Sequence, residues 1–277
     1  MDDNAGLYYL LDGNVSVASE VVEADTSSGR SAYEVIRVIK GVPLFYQEHY
    51  DRLESTFKVI EKPLDLNSST LKGYIKRLLE VNKRDCCNIK VVAFEKDGRY
   101  KVLSYISKSY YPSGPETDAG VKTGLLWLER NNPNAKLLNQ AYKDAVSVRI
   151  KEGGFFEILL VDNHGRITEG SRSNAFFVKK DRIFTAPGEH VLKGITRKYV
   201  LEACRNAGYD VVEEFIDADA LPGIDGAFLS GTSIKVLPIA SIEERKVRSS
   251  ANPVVAAVRK EYDVLLEKYI EANVNIW

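Results

Sequence analysis

Apolar residues along this chain recur with two different periods, and the changes between them mark out the elements. Leu7 to Leu11 is an apolar, aromatic run that ends at the turn pair Asp12-Gly13. Tyr33 to Ile39 is rich in β-branched and aromatic residues and stops at Lys40-Gly41, so it reads as a second strand. From 47 to 60 the period becomes helical, with Tyr50, Leu53, Phe57 and Ile60 on one stripe. A second helix fits 70 to 82, with Leu71, Tyr74, Ile75, Leu78 and Leu79 facing inward. Asn67-Ser68-Ser69 matches a glycosylation pattern but reads here as the cap of that helix. Two strands, near 89–95 and 100–107, flank the tight turn Lys96-Asp97-Gly98.

The pattern then lapses. Residues 111 to 118 hold two prolines and no apolar period, which predicts a linker over 113–120 between domains at 1–112 and 121–277. Beyond it, 121–128 reads as a strand and 138–152 as a helix. Phe155–Val161 is almost continuously apolar and fits a strand buried on both faces. Short strands follow near 174–178 and 182–185, then a helix from 195 to Asn206 that ends at Gly208. Strands near 210–216 and 226–230 precede a last helix, about 251–272. Strands and helices mix in both halves, so the fold class is α+β in two domains.

Composition narrows the function. The net charge is −1, so nothing in the balance supports neutralising nucleic-acid phosphates. No apolar run approaches a membrane span, and the start Met1-Asp2-Asp3-Asn4 lacks the pattern of a signal peptide. Cys86, Cys87 and Cys204 fit neither a disulfide framework nor a metal pair, which places the chain in the cytoplasm. His49, His164 and His190 are scattered, so no metal site is expected.

Three segments could carry chemistry. Lys136 lies between a strand and a helix in a stretch poor in other charges, where an amine can lose its proton and attack an aldehyde. Taken alone, it fits a solvated surface lysine better. Gly165 to Phe176 crowds short polar residues ahead of apolar ones and includes Glu169, Ser173 and Asn174. A carboxylate at a strand end can hold a proton on a heterocyclic nitrogen, although a surface hairpin fits the same composition. In Leu192-Lys193-Gly194-Ile195-Thr196-Arg197 a glycine precedes a helix start, whose free N–H groups and dipole suit a phosphate. An amine, a carboxylate and a phosphate cradle are the three handles that pyridoxal 5′-phosphate requires.

From Glu169 to Arg197 the chain resembles the signature of the class IV aminotransferases, the fold-type IV pyridoxal-phosphate enzymes. Glu169 is followed by Asn174, Ala175 and Phe176, then Ile183-Phe184-Thr185, then Leu192-x-Gly194-Ile195-x-Arg197. The resemblance implies a small N-terminal α/β domain, a larger C-terminal mixed domain and a homodimer. Lys136, 33 residues before Glu169, becomes the catalytic Schiff-base lysine and Glu169 the partner of the pyridine nitrogen. Ser173, Asn174, Gly194, Ile195 and Thr196 are implied as cofactor contacts. Glu48-His49-Tyr50-Asp51-Arg52-Leu53 is similar to the family's first-helix motif, which assigns Arg52 to the phosphate. Leu229-Ser230-Gly231-Thr232-Ser233 resembles the late turn, which adds Gly231 and Thr232 for the cofactor and Ser233 for the substrate. Tyr33, in Tyr33-Glu34-Val35-Ile36-Arg37, matches a strand that lines the family's pocket.

The implied activity moves an amino group between an amino acid, branched-chain L or small D, and a 2-oxo acid such as 2-oxoglutarate. Aminodeoxychorismate lyase stays open on Lys136-x-x-Asn139, and a non-catalytic cofactor-binding protein is the third reading. Arg30 stands where many relatives have Gly-Asp-Gly, and either takes a substrate carboxylate or points outward. The loop Lys96-Asp97-Gly98-Arg99 lacks the Arg-x-His of the D-amino-acid enzymes, and the Gly-Gly-Asn-Tyr of the branched-chain enzymes is also absent.

Overall fold

A computed structural model describes residues 4–18, 31–130 and 132–277. Arg30 lies outside the described residues. The chain divides into two units. One comprises residues 1–110, 135–140 and 267–277, and the other comprises 111–134 and 141–266.

The first unit contains β1 (Asn4–Leu11), β2 (Asn14–Val17), β3 (Ala32–Ile39), β4 (Val42–Pro43), α1 (Tyr46–Val59), α2 (Ser68–Asn82), β5 (Cys87–Lys96) and β6 (Arg99–Ser107). Its strands form one antiparallel sheet in the order β2-β1-β6-β5-β3-β4. Burial along β3 alternates strictly, because successive side chains point to opposite faces. Ala32, Ile36 and Val38 join the core that α1 and α2 cover with Leu53, Phe57, Leu71, Ile75 and Leu78. Glu34 falls on that same inward face. The opposite face carries Tyr9, Tyr33, Val92, Phe94, Leu103 and Tyr105. As the sequence suggests, Asn67 caps α2, its Oδ1 accepting from Thr70 N at 2.8 Å.

The second unit adds α3 (Gly114–Ala119), β7 (Val121–Trp127), α4 (Gln140–Gly153), β8 (Glu157–Val161), β9 (Arg166–Gly170), β10 (Asn174–Lys179), β11 (Arg182–Thr185), α5 (Ile195–Asn206), β12 (Val211–Glu213), β13 (Ile216–Asp217), β14 (Gly226–Gly231), β15 (Lys235–Ile242), β16 (Arg245–Lys246) and α6 (Pro253–Asn273). Nine strands follow the order β12-β11-β10-β14-β15-β7-β8-β9-β13, and β16 pairs with β15. The sheet is mixed: β7 runs parallel to both β8 and β15, while β8–β9 and β10–β14 are antiparallel. Every residue of β8 is buried, as its unbroken apolar run requires.

Three expectations change. Residues 113–120 are not a bare linker. Ser113 and Glu116 form a reciprocal capping box that starts α3. The strand expected over 210–216 is two strands, because β12 pairs with β11 whereas β13 pairs with β9. The polar stretch before Glu169 is itself a strand, since the edge of β8 supplies the hydrogen bonds that its composition does not advertise.

Candidate active site

In the first unit, the lysine stretch is stitched to the start of β3. Tyr33 N donates to Lys136 O at 3.1 Å and Leu138 N to Ser31 O at 2.8 Å. Lys136 N donates to Thr56 Oγ1 at 3.3 Å, and Thr56 donates in turn to Arg52 O at 3.0 Å. The Lys136 ammonium lies 4.8 Å from the centre of the Tyr33 ring. Lys136 is half-buried, so it is not the solvated surface lysine that its local sequence allows. Tyr33, Lys136 and Arg52 therefore belong to one local construction.

A buried ion cluster underlies it. Glu34 accepts from His49 Nδ1 at 2.7 Å and from Arg52 Nε and Nη2 at 2.8 and 2.6 Å. Glu34 is 1% exposed and His49 3%. Burial raises the Glu34 pKa, but the Arg52 charge and the hydrogen bonds from Arg52 and His49 outweigh it and hold the carboxyl at about 2. Burial lowers the His49 pKa, with the charges of Arg52 and Lys136 adding to it against the pull of Glu34. The guanidinium fork that the resemblance assigns to a phosphate is closed on Glu34. Composition did not disclose this cluster. The signal available was a lone Glu on the inward face of an otherwise apolar strand, which demands partners. Lys90 also escaped the sequence reading. Its ammonium lies 5.8 and 5.7 Å from the ring centres of Tyr33 and Tyr105.

In the second unit, Glu169, Ser173, Asn174, Ile195 and Thr196 are all buried. Glu169 Oε2 accepts from Leu192 N at 3.2 Å and from Asn174 Nδ2 at 3.5 Å. Asn174 Nδ2 also donates to Leu192 O at 2.9 Å, so one amide ties β10 to the segment that enters α5. Arg130 Nε lies 3.3 Å from Glu169 Oε1, and its guanidinium covers the Tyr142 ring. Burial pushes the Tyr142 phenol up to about 12. Arg130 and Tyr142 both donate to Ser171 O, which fixes the turn after Glu169. Sequence reading missed both residues, because their partner lies some forty and thirty positions further along the chain.

The same turn rests on a second carboxylate. Buried Glu157 accepts from Ser171 Oγ, and from Ser173 Oγ at 3.1 Å and Arg172 N at 3.3 Å. Ser173, read as a cofactor contact, thus holds Glu157. Two other positions of the signature are also structural. Thr185 Oγ1 donates to Ala175 O, and Arg197 reaches Ala186 O and Glu213.

Helix α5 begins at Gly194 with no side-chain cap, so its first N–H groups stay available to an anion. A Cβ on Gly194 would lie 2.3 Å from Asn174 Oδ1, a contact that only glycine permits. Gly231 closes β14, and Thr232 and Ser233 follow, half-buried, in the turn to β15. Ser230, opposite Asn174 across β10–β14, is 1% exposed, and its hydroxyl has no partner among the described residues. Unmatched N–H and O–H donors near a fixed carboxylate fit a phosphate-bearing ring with a protonated nitrogen.

The first unit thus offers a half-buried lysine hydrogen-bonded to the start of β3, and the second unit offers a restrained carboxylate and an uncapped helix N-terminus. The comparisons narrow the class. The sequence model of class IV amino-transferases matches residues 31–242, and the chain belongs to that family. It is 27% identical over 249 residues to D-alanine aminotransferase of Bacillus licheniformis, covering 84% of this chain and 86% of that one. It is 28% identical over 236 residues to a probable branched-chain-amino-acid aminotransferase of Aquifex aeolicus, covering 79% and 76%. Its fold matches a branched-chain aminotransferase from Thermoproteus uzoniensis with norvaline, at TM-score 0.83 and 21% identity over 96% of this chain and 98% of that one. The protein is an enzyme, a class IV aminotransferase whose cofactor is pyridoxal 5′-phosphate.

Proposed function

We propose that this aminotransferase moves the amino group of a branched-chain L- or small D-amino acid to a 2-oxo acid such as 2-oxoglutarate, with Lys136 as its base. The carrying observation is the placement of Lys136, pinned by backbone hydrogen bonds and held against Tyr33. When bound, pyridoxal 5′-phosphate supplies an aldehyde that captures amines and a ring that accepts electrons. The Lys136 amine removes the proton from the substrate Cα and returns it two atoms away, to the carbon beyond the nitrogen, as base and then acid. Glu169, oriented by Arg130, Leu192 N and Asn174, keeps a proton on the ring nitrogen. The Ile195 and Thr196 N–H groups, the Thr196 and Thr232 hydroxyls and Gly231 bind the phosphate, and Arg52, fixed by Glu34, is the cation of that cradle. Tyr33 lines the substrate side with Ser233, and Lys90 offers a cation for a substrate carboxylate, the task that sequence alone leaves to Arg30.

Relatives named for D-alanine and for branched-chain amino acids both match, so both substrate branches are retained. These relatives are all aminotransferases, which does not favour the lyase reading. A cytoplasmic homodimer fits the family resemblance, and sedimentation would test the dimer.

The test is an absorption spectrum of the purified enzyme titrated with single amino acids. A yellow band that bleaches with one L- or D-donor, with a new amino acid formed from 2-oxoglutarate, supports the proposal. Pyruvate formed together with an aromatic amine would replace it with the lyase. A protein that gains no band when cofactor is supplied would overturn it.

A further inference from the structure

Strand β8 opens on Glu157, and its other four residues are aliphatic. Glu157 is 2% exposed, and a carboxylate taken out of water costs free energy unless donors replace the water. Its Oε1 accepts from Ile158 N at 2.9 Å and from Ser171 Oγ. Its Oε2 accepts from Ser173 Oγ at 3.1 Å and from Arg172 N at 3.3 Å. Arg172 Nε lies 3.8 Å away. Every hydrogen bond to this carboxylate from outside its own strand therefore comes from three consecutive residues, 171–173.

Those three residues are the turn between Glu169-Gly170, which ends β9, and Asn174, which starts β10. The two strands are not neighbours in the sheet: β9 pairs with β8 and β13, and β10 with β11 and β14. No ladder between them can fix the turn, so other groups must. Ser171 N still reaches Ile158 O at 2.8 Å, and Arg130 and Tyr142 hold the Ser171 carbonyl. The Arg172 amide and the two serine hydroxyls are left to Glu157. A Cβ on Gly170 would collide with Ser173 Oγ, so the turn is folded closely on itself. The groups on either side of it meet again, because Asn174 Nδ2 donates to Glu169 Oε2 at 3.5 Å and to Leu192 O at 2.9 Å. A shift of the turn moves Asn174 against Glu169.

We propose that Glu157 is a positioning residue for Glu169: by holding the 171–173 turn it fixes the Glu169 carboxylate, and so keeps the proton on the cofactor's ring nitrogen. The proposal rests on the reading of Glu169 as the partner of that nitrogen, and the experiment separates the two. Glutamine at 157 is a sharp test, because each Glu157 oxygen receives a backbone N–H. Whichever way the amide turns, its own donor nitrogen confronts Ile158 N or Arg172 N.

The measurement is the pH midpoint at which the ring nitrogen of ¹⁵N-labelled pyridoxal 5′-phosphate loses its proton in the folded holoenzyme, read from its NMR resonance. It is made for wild type, Glu157→Gln, Ser173→Ala, the double variant and Glu169→Gln, with kcat and urea unfolding alongside. Val255→Ala, at a buried position of α6, supplies a protein that is less stable for an unrelated reason.

Glu157→Gln is expected to move the midpoint down, because a displaced carboxylate holds the proton less well, and to lower kcat on the order of ten-fold. Ser173→Ala moves the midpoint the same way by less, and the double variant falls no further than Glu157→Gln. Val255→Ala unfolds in less urea with its midpoint unchanged. If Glu157→Gln loses stability while keeping the wild-type midpoint, its role is structural only and the proposal is overturned. A midpoint that falls equally in Val255→Ala overturns it as well. Should Glu157→Gln fail to fold, Ser173→Ala decides, and an unchanged midpoint there overturns the proposal. If Glu169→Gln leaves the midpoint in place, the reading of Glu169 fails and this proposal fails with it.

Discussion

Each of the two units buries carboxylates beneath its candidate groups, but by different means. In the first, Glu34 sits on the helix-covered face of a regular antiparallel sheet and is matched by two titratable or charged side chains, His49 and Arg52. In the second, Glu157 and Glu169 are held mainly by hydroxyls, a side-chain amide and backbone N–H groups, with Arg130 alongside. The first arrangement places charge against charge where water is absent, so its worth depends on every partner keeping its protonation state. The second spreads two charges over several neutral donors, with the guanidinium groups of Arg130 and Arg172 beside them. The acid-sensitive ensemble therefore lies beside Lys136 in the first unit, and the hydroxyl and amide scaffold lies around Glu157 and Glu169 in the second.

The largest effect should come from Lys136→Ala, which lowers kcat by at least about a thousand-fold, because it removes the only base the mechanism uses. Steady-state kinetics checks it, with the far-ultraviolet spectrum unchanged. Glu34→Ala comes next. It strands Arg52 and His49 in the core and should cost about 3–5 kcal/mol in urea unfolding, with Glu34→Gln costing less.

The wild-type protein should respond to acid in the same region. Glu34 has a folded pKa near 2, below its unfolded value, so its stabilisation is complete above about pH 5. It is lost as pH falls toward 2, on the order of 3 kcal/mol. Buried His49, also depressed, takes up a proton more readily when unfolded, so it too makes the protein less stable below about pH 6.5. Unfolding midpoints between pH 7 and 4 should fall, and Glu34→Gln should flatten the part of the profile below about pH 5. A profile that falls as steeply in Glu34→Gln would break the contrast between the units.

The smallest effect is at Glu157. Glu157→Gln keeps a carbonyl acceptor for only one of Ser171 and Ser173, which bond different carboxylate oxygens, and should cost about 1–3 kcal/mol in urea unfolding.

Much of this was legible along the chain. The period of Leu71, Ile75 and Leu78 located α2, and the unbroken run at 157–161 located a strand buried on both faces. The spacing from Glu169 to Arg197 pointed to the family that the comparison then showed. The roles within that signature were less legible. Ser173, Thr185 and Arg197 read as parts of a binding motif, yet each supports backbone or a second carboxylate. A short pattern records which residues recur, not which atom each one faces.

By itself, then, the sequence determined the order of most elements, the family and the cofactor class, because periodicity and motif spacing are local properties of the chain. Tertiary structure alone decided that Glu34 meets His49 and Arg52, that Arg130 meets Glu169, and that β12 and β13 part company. These depend on which faces and edges meet across fifteen to fifty residues, and no local pattern encodes a hydrogen-bond partner at that distance.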